Sequence, residues 1–175
     1  IRGGNLIPLS EQQLLDCSKN SGNSGCEGGE MTSAFEWIIK SKGLCSEKEY
    51  PYLAKDRDVC HLCNKVPGTN ISKCFTIDSG NEDALIYALS KQPVSVGIQA
   101  DTPYFQHYKS GVIDTDKCYK GSIDHGVLLV AYTNTTLTIK NSWGTNWGEE
   151  GYVRFKRTGN GTGICGVNLN AVVPH

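Results

Sequence analysis

The first half of the chain carries its hydrophobic residues at the spacing of amphipathic helices. Ser10 can accept a hydrogen bond from the Gln13 amide, which is typical of a helix N-terminus. Hydrophobic residues then recur every three or four positions over 31–42, where a glycine follows. Asn81 predicts a third helix, because Asn is a favoured N-cap and Pro93 requires that the helix has ended.

The second half changes to the two-residue period of strands. Residues 94–100 alternate hydrophobic with small or polar side chains, as do 137–140 and 152–156, and 127–132 form a continuous hydrophobic run. Residues 44–76 have no period and hold four of the eight cysteines, which predicts an irregular region held by disulfides. Helices followed by strands predict an α+β fold rather than an alternating parallel α/β sheet.

Composition narrows the functional classes. The 175 residues carry 17 Lys and Arg against 18 Asp and Glu, so the formal net charge is -1. The chain has no excess of basic residues, so its charge gives no indication of nucleic-acid binding. No hydrophobic run approaches the ~18 residues of a membrane span. Eight cysteines favour an oxidising compartment. Three N-glycosylation sequons, at Asn70, Asn134 and Asn160, also favour export.

Two of the histidines have explanations other than catalysis. His61 lies within Cys60-His61-Leu62-Cys63, so a metal or redox site is an alternative. A structural zinc site would need a second pair of ligands, and Cys74 stands alone, so disulfides explain these cysteines better. His107 lies in an aromatic stretch, where a packed or surface position is expected.

His125 lies where two predicted strands come together. It begins one strand, and Asn141 and Trp143 follow the next, after the polar turn 133–136. If the hairpin turns about Asn134, an odd-length connection, His125 faces Trp143 and shares a face with Asn141. Such an imidazole, fixed by an amide acceptor, suits the activation of a thiolate nucleophile. A buried histidine satisfied by a core asparagine is the alternative.

A series of motifs resembles the papain-like cysteine proteases of the cathepsin type, nearly end to end and in that family's usual order. They are SEQQLLDC (10–17), GCEGG (25–29), YPY (50–52), QPVSV (92–96), DHG (124–126), KNSWG (140–144), WGEEGY (147–152) and CG (165–166). The resemblance implies a two-lobed α+β fold, with a mainly helical lobe over about 1–76, a β-rich lobe over about 77–175 and the active site in the cleft between them. It also implies a lysosomal, vacuolar or secreted endopeptidase that acts on peptides or proteins without a cofactor.

By the same resemblance, His125 is the catalytic acid and base, Asn141 orients it and Trp143 shields the pair. The family's nucleophile lies in a Cys-Gly-Ser-Cys-Trp motif that this sequence lacks. In the family this cysteine precedes the histidine by ~130–150 residues. Counted back from His125, that position lies before residue 1, so none of the eight cysteines is expected to be the nucleophile. The oxyanion glutamine and the long central helix are also missing, and residues 1–6 resemble the segment that comes after that helix in the family. We expect an incomplete first lobe, a nucleophile supplied by an upstream segment, and a chain that is inactive alone.

Two alternatives remain at this point. One is a catalytically silent relative that acts as a binding or structural protein, although an intact His125, Asn141 and Trp143 weigh against it. The other is a disulfide- or metal-organised module built on Cys60, His61, Cys63 and Cys74.

The resemblance also implies disulfide pairs and a substrate site. Cys17 pairs with Cys60 and Cys118 with Cys165, while the partner of Cys26 belongs to the absent segment. Cys45–Cys63 is the preferred additional bridge, and Cys74 is left unassigned.

The residues that the resemblance places on the substrate are drawn from both lobes. Gly28 and Gly29 pair with the backbone of an extended substrate, with an ordinary turn as the alternative. The pocket for the side chain two positions before the cut has Asn170 at its floor, which is polar but uncharged. Bulky apolar side chains are therefore expected there, with no strong demand for Arg. By the same resemblance, Glu30, Met31, Gly97 and Gly126 line this pocket together with Asn170, and Asp124 is a further substrate-binding position.

Overall fold

The computed structural model describes residues 6–57 and 59–175 and divides the chain into two compact units. We call the part ending at Phe75, together with Pro174–His175, the helical unit, and Thr76–Val173 the sheet unit. Within the described ranges, no helix combines the length and the apolar character that a membrane span requires. Residues 1–5, which include most of the segment expected to come after the central helix, lie outside the described residues.

The described part of the helical unit contains two α-helices, at the positions that the sequence predicts. Helix α1 is Glu11–Cys17, and the Ser10 hydroxyl accepts the Gln13 amide at 3.0 Å, which confirms the predicted cap. Helix α2 is Met31–Ser41 and ends at Lys42, which lies in the left-handed region at φ 60°. Single 3-10 turns at Lys19–Ser21 and Gly25–Glu27 join the two helices.

Buried polar side chains of α1 hold the irregular segment after α2. The Gln12 side chain accepts from the Leu53 amide and donates to the Lys55 carbonyl, both at 2.9 Å. The Asp16 carboxylate accepts the Tyr50 hydroxyl at 2.7 Å. A segment without regular structure lacks the backbone hydrogen-bond partners that a helix or sheet provides, and these side chains of α1 take their place. We call this the template role of α1.

Disulfides complete the helical unit and one end of the sheet unit. Within the described chain, the bonded pairs are Cys17–Cys60, Cys45–Cys63 and Cys118–Cys165, the same pairs that the sequence analysis expects. Because Cys60 and Cys63 lie in different disulfides, neither is free to bind a metal. The hypothesis of a metal-organised module is therefore wrong.

The sheet unit is built from short helices and a mostly antiparallel sheet, which confirms the α+β class. Its helices are α3 (Glu82–Leu89), where the Asn81 side chain accepts the Ala84 amide as predicted, and α4 (Pro103–Gln106). The strands within the described residues are β1 (Cys74–Thr76), β2 (Val94–Ile98), β3 (Val112–Ile113), β4 (His125–Tyr132), β5 (Thr136–Lys140), β6 (Tyr152–Lys156) and β7 (Asn170–Pro174). Their order is β1-β7-β2-β4-β5-β6-β3, and β3 pairs with β6 in parallel.

Alternation along the strands builds the core of the sheet unit. Val94, Val96 and Ile98 of β2 are fully buried, and α3 contributes Leu85 and Leu89 to the same cluster. Strand β7 was not predicted, since its three central residues are all buried and leave no alternation to read. Strand β1 likewise occupies the end of the region predicted to be irregular.

The β4–β5 hairpin differs from its prediction at the tip and agrees with it at the other end. Tyr132 pairs with Leu137, so the turn is centred between Asn134 and Thr135 and is not the odd-length connection expected. The Thr133 hydroxyl accepts the Thr135 and Thr136 amides, at 3.2 and 3.0 Å, which stabilises this tighter turn. A bulge between Leu129 and Ala131 then adds one residue to β4.

The bulge restores the register that the sequence analysis expects near the histidine. Beyond the bulge, Leu129 pairs with Ile139 and Leu128 with Lys140. The two residue numbers of each pair add up to 268. The numbers of His125 and Trp143, the pair that the sequence predicts, add up to the same value, so the observed register is the predicted one. Two one-residue differences, one at the turn and one at the bulge, cancel.

Replacing Gln12 tests the template role of α1. Gln12→Leu keeps the side chain's approximate volume but leaves the Leu53 amide and Lys55 carbonyl without partners, so the free energy of unfolding is expected to fall by about 2–3 kcal/mol. Glu11→Gln, an exposed change in the same turn, serves as the control and is expected to stay within about 0.5 kcal/mol. Urea unfolding of the two variants makes the comparison, and equal losses would contradict the template role.

Candidate active site

His125 begins β4 at a position fixed from both sides of the strand. It pairs with Ile98 of β2, and β5 leads directly into Asn141 on the other side. The Asn141 backbone amide donates to the Gly151 carbonyl at 2.9 Å, which extends the pairing beyond the end of β5. The sheet therefore brings an imidazole and an amide to the same end of two neighbouring strands.

A single hydrogen bond joins the two side chains. His125 Nε2 lies 2.8 Å from Asn141 Oδ1, and the Ser142 backbone amide donates to the same oxygen at 2.8 Å. The second donor fixes the amide with its oxygen towards the imidazole. Because that oxygen can only accept, Nε2 carries the proton of the hydrogen bond and Nδ1 is left to exchange a proton with a reactant.

An aromatic cluster lies beside the imidazole. The Trp143 and His125 ring centroids are 5.1 Å apart, and the fully buried Phe105 lies 5.3 Å from Trp143. Trp147 lies 4.8 Å from Phe105 and donates its indole N–H to the Gln106 carbonyl at 3.2 Å. The cluster lowers the local dielectric beside the histidine, which strengthens its bond to Asn141. Trp143 itself is 41% exposed, so it also contributes to the surface of the site.

Asp124 holds the residues just before His125 to the end of β2. Its carboxylate accepts the Ala100 amide at 2.7 Å and the Asp101 amide at 3.3 Å. Its own amide donates to the Ile98 carbonyl at 3.1 Å. These bonds fix the backbone where β4 begins, so they help to orient His125.

Three residues predicted to line a substrate pocket form one row across the sheet. Gly97 pairs with Gly126 on one side and with Asn170 on the other. A Cβ placed on Gly126 would meet no atom within 4 Å, whereas one placed on Gly97 would lie 2.6 Å from Ile123 Cγ2. The Ile123 side chain thus lies against Gly97 of this row, a neighbour that the motifs do not predict. Its sequence signal is a β-branched hydrophobic residue in an otherwise polar loop directly before Asp124.

The other predicted substrate residues lie in the helical unit. Gly28, Gly29, Glu30 and Met31 line a surface cavity of ≈ 240 Å³. The Gly28 carbonyl accepts the Ser24 amide and the Glu30 amide donates to Asn23 Oδ1, but no hydrogen bond within the described residues uses the Gly29 backbone. A Cβ on Gly29 would collide with the Asn23 side chain, so only glycine fits there.

Each described cysteine is either joined in a disulfide or a free thiol. Both cysteines of the sheet unit, Cys118 and Cys165, are joined in one disulfide. Cys26 and Cys74, among the described cysteines, are free thiols of the helical unit. Desolvation first, and then the neighbouring Asp56 carboxylate, raise the pKa of the Cys26 thiol, which is the opposite of what thiolate catalysis needs.

Comparison with known proteins identifies the family of the chain. A family profile described as "Papain family cysteine protease" matches residues 1–175. The chain belongs to the papain family of cysteine proteases. A "Cysteine proteinase 3" of Dictyostelium discoideum is 42% identical over 99% of this papain-family chain, and a "Cathepsin S" of Mus musculus is 43% identical over 95% of it.

Solved structures confirm the papain-like fold. The cysteine protease CMS1MS2 of Carica candamarcensis, in complex with E-64, matches with a TM-score of 0.89 at 38% identity and covers 98% of the papain-family chain and 79% of its own. Bromelain of Ananas comosus, in complex with the E64 inhibitor, matches with a TM-score of 0.87 at 38% identity, covering 99% of this chain and 80% of its own. The chain spans about half the length of the curated relatives, 52% and 50% for the two named above.

Removing the amide tests how the imidazole is held. Asn141→Ala leaves Nε2 without its acceptor, so its proton should exchange with solvent roughly tenfold faster, the equivalent of about 1.4 kcal/mol for one hydrogen bond. Ser142→Ala is the matched control, because Ser142 contributes only its backbone amide. Proton and nitrogen NMR of the His125 ring measures the exchange. Equal rates in the two variants would show that Asn141 does not hold the ring.

Proposed function

We propose that this chain supplies the acid–base half of a cysteine endopeptidase. The observation that carries the proposal is the bond from His125 Nε2 to Asn141 Oδ1, which leaves Nδ1 for proton transfer. No hydrogen bond within the described residues engages Nδ1. An imidazole held at one nitrogen and available at the other is the arrangement that general acid–base catalysis requires.

The proposed reaction proceeds through a thioester. His125 Nδ1 takes the proton of the thiol, the thiolate attacks the peptide carbonyl carbon, and the imidazolium returns the proton to the leaving nitrogen as the C–N bond breaks. His125 then takes a proton from water as the water oxygen attacks the thioester carbonyl carbon, the C–S bond breaks to release the acid, and the imidazolium returns the proton to the departing thiolate. Asn141 keeps the ring in the same orientation through both steps, and Trp143 limits access of water to the bond between them.

The nucleophile is proposed to come from a segment outside these 175 residues. The bonded state of Cys118 and Cys165 and the raised pKa of Cys26 support this assignment. The same segment would provide the disulfide partner of Cys26, which is exposed. The chain alone is therefore proposed to be inactive. A catalytically silent relative would instead carry another residue at the nucleophile position.

The substrate is proposed to be an extended peptide or protein segment. The unused backbone N–H and C=O of Gly29 can pair with its main chain, as an unpaired strand edge does. The row of Gly97, Gly126 and Asn170 leaves space above Gly126, bordered by Ile123. A neutral pocket of this kind suits a bulky apolar side chain two positions before the cut.

The compartment is proposed to be oxidising, either lysosomal or vacuolar, or extracellular. The disulfides support this, since such bonds persist outside the cytosol. Asn70, Asn134 and Asn160 are exposed, so each is accessible for a glycan.

Labelling with a thiol-directed epoxide inhibitor tests the catalytic assignment. The complete natural polypeptide is expected to gain one inhibitor mass per molecule, because His125 generates the reactive thiolate. His125→Ala should reduce the labelling rate by roughly 100-fold or more, within the range for loss of a general base. His107→Ala is the control, since His107 is an exposed histidine of the same unit. Mass spectrometry measures the label, and an unlabelled wild-type protein would favour the silent relative.

Substrate preference tests the pocket. Peptides with Leu or Phe two positions before the cut are expected to be cleaved more efficiently than the Arg counterpart. Asn170→Glu adds a carboxylate to the row and should raise kcat/KM for the Arg peptide by roughly tenfold, the scale of one charge-assisted hydrogen bond. Asn146→Glu, an exposed change in the same unit, should leave the ratio unchanged. A wild-type preference for Arg would overturn the pocket assignment.

A further inference from the structure

A tight turn at residues 149–152 leads into β6, close to the candidate site. The Glu149 amide donates to the Tyr152 carbonyl at 2.9 Å, and the Tyr152 amide donates back to the Glu149 carbonyl at 3.0 Å. The two central residues, Glu150 and Gly151, lie in the left-handed region at φ 54° and 91°. Two such residues in sequence are the mark of a two-residue hairpin turn. For Glu150, which has a Cβ, this conformation is unfavourable unless the flanking residues are firmly held.

The Glu149 carboxylate holds this turn to Arg154 of β6 and to Gly111. Arg154 donates to it twice, from Nε at 2.8 Å and from Nη2 at 2.7 Å, and the Gly111 amide donates at 2.9 Å. The Arg154 hydrogen bonds are the main cause that lowers the pKa of Glu149 to about 2, and the Gly111 bond adds to the effect. A two-point contact with Arg restricts geometry more than a single ion pair does.

The backbone of the turn reaches Asn141 directly. The Gly151 carbonyl accepts the Asn141 amide at 2.9 Å, and the Gly151 amide donates to the Trp147 carbonyl at 2.8 Å. Trp147 in turn packs against Phe105 and Trp143, with ring centroids 4.8 and 5.4 Å away. The turn is thus in contact with both parts of the histidine's environment, the orienting amide and the aromatic cluster.

We propose that Glu149 is a positioning residue for His125. By holding the turn, its carboxylate sets the place of the Gly151 carbonyl, which sets Asn141 and, through it, the imidazole. The role rests on the proposed function for its catalytic meaning, but the position of the ring can be measured without any activity.

The neighbouring carboxylate provides a matched control. Glu150 occupies the same turn and is exposed, and no hydrogen bond or ion pair within the described residues uses its side chain. Glu149→Gln and Glu150→Gln each remove one negative charge from the turn, at similar volume. Only the first removes the charge that Arg154 and Gly111 hold.

Two readouts on the complete natural polypeptide test the proposal. The His125 Nε2 proton should exchange with solvent several-fold faster in Glu149→Gln than in Glu150→Gln, since a displaced Asn141 holds the ring less well. In peptide cleavage, kcat should fall by roughly ten- to 100-fold, the scale of loss for a catalytic group about 1 Å out of place. KM should remain within about twofold, because substrate contacts are untouched.

The pH dependence of stability separates the structural effect of the Glu149 contacts from their effect on catalysis. The folded-state pKa of Glu149, about 2, lies below its usual 4.5, so the stability from this carboxylate is present above pH 4.5 and is lost as the pH falls towards 2. The stability difference between wild type and Glu149→Gln should therefore shrink over that interval. Arg154→Lys, which keeps the charge but not the two-point contact, provides a second variant if Glu149→Gln does not fold.

The outcomes are distinguishable. Loss of stability with unchanged proton exchange and unchanged kcat would overturn the positioning role and leave Glu149 as a purely structural residue. Equal effects of Glu149→Gln and Glu150→Gln would also overturn it, since charge alone would then explain them. An inactive wild-type protein would contradict the proposed function, whereas faster exchange in Glu149→Gln would still support the positioning of the ring.

Discussion

The register of the β4–β5 hairpin is the constraint on which the candidate site depends. Side chains alternate between the two faces of a strand, so a slip of one residue would turn His125 away from Asn141. The bulge between Leu129 and Ala131 prevents that slip, because it compensates for the two-residue turn at the tip. The 2.8 Å contact between the imidazole and the amide is therefore determined by backbone pairing several residues away as well as by the two side chains.

The two units solve the same problem of satisfying backbone groups in opposite ways. The sheet unit uses ladders, and side chains such as Asp124 and Asn141 add polar contacts where its strands begin or end. The helical unit has little regular structure beyond its helices, so buried side chains such as Gln12 act as backbone partners for a long segment. Loss of a single α1 side chain consequently affects residues more than forty positions away in sequence.

The sequence predicts those features whose signals are local and fails where tertiary context decides. The caps of α1 and α3 are predicted because Ser10 and Asn81 act within three residues of themselves. Strand β7 is missed because burial on both faces removes its alternation, and α4 and β3 are too short to show a period. The bulge escapes prediction since no residue type marks it. The pairing of His125 with Asn141 is expected only because two errors in hairpin geometry cancel, and Ile123 lies against Gly97 of the pocket row in a contact that no spacing reveals.

The place of Trp143 has an optical consequence. Its indole is partly exposed and lies with its ring centroid 5.1 Å from that of His125, whereas Trp147 is nearly buried. Protonated imidazole quenches the fluorescence of an adjacent indole more strongly than neutral imidazole does. The protein thus contains an intrinsic fluorophore next to its candidate proton donor, and light emitted by Trp143 reports the charge of the histidine without any added dye.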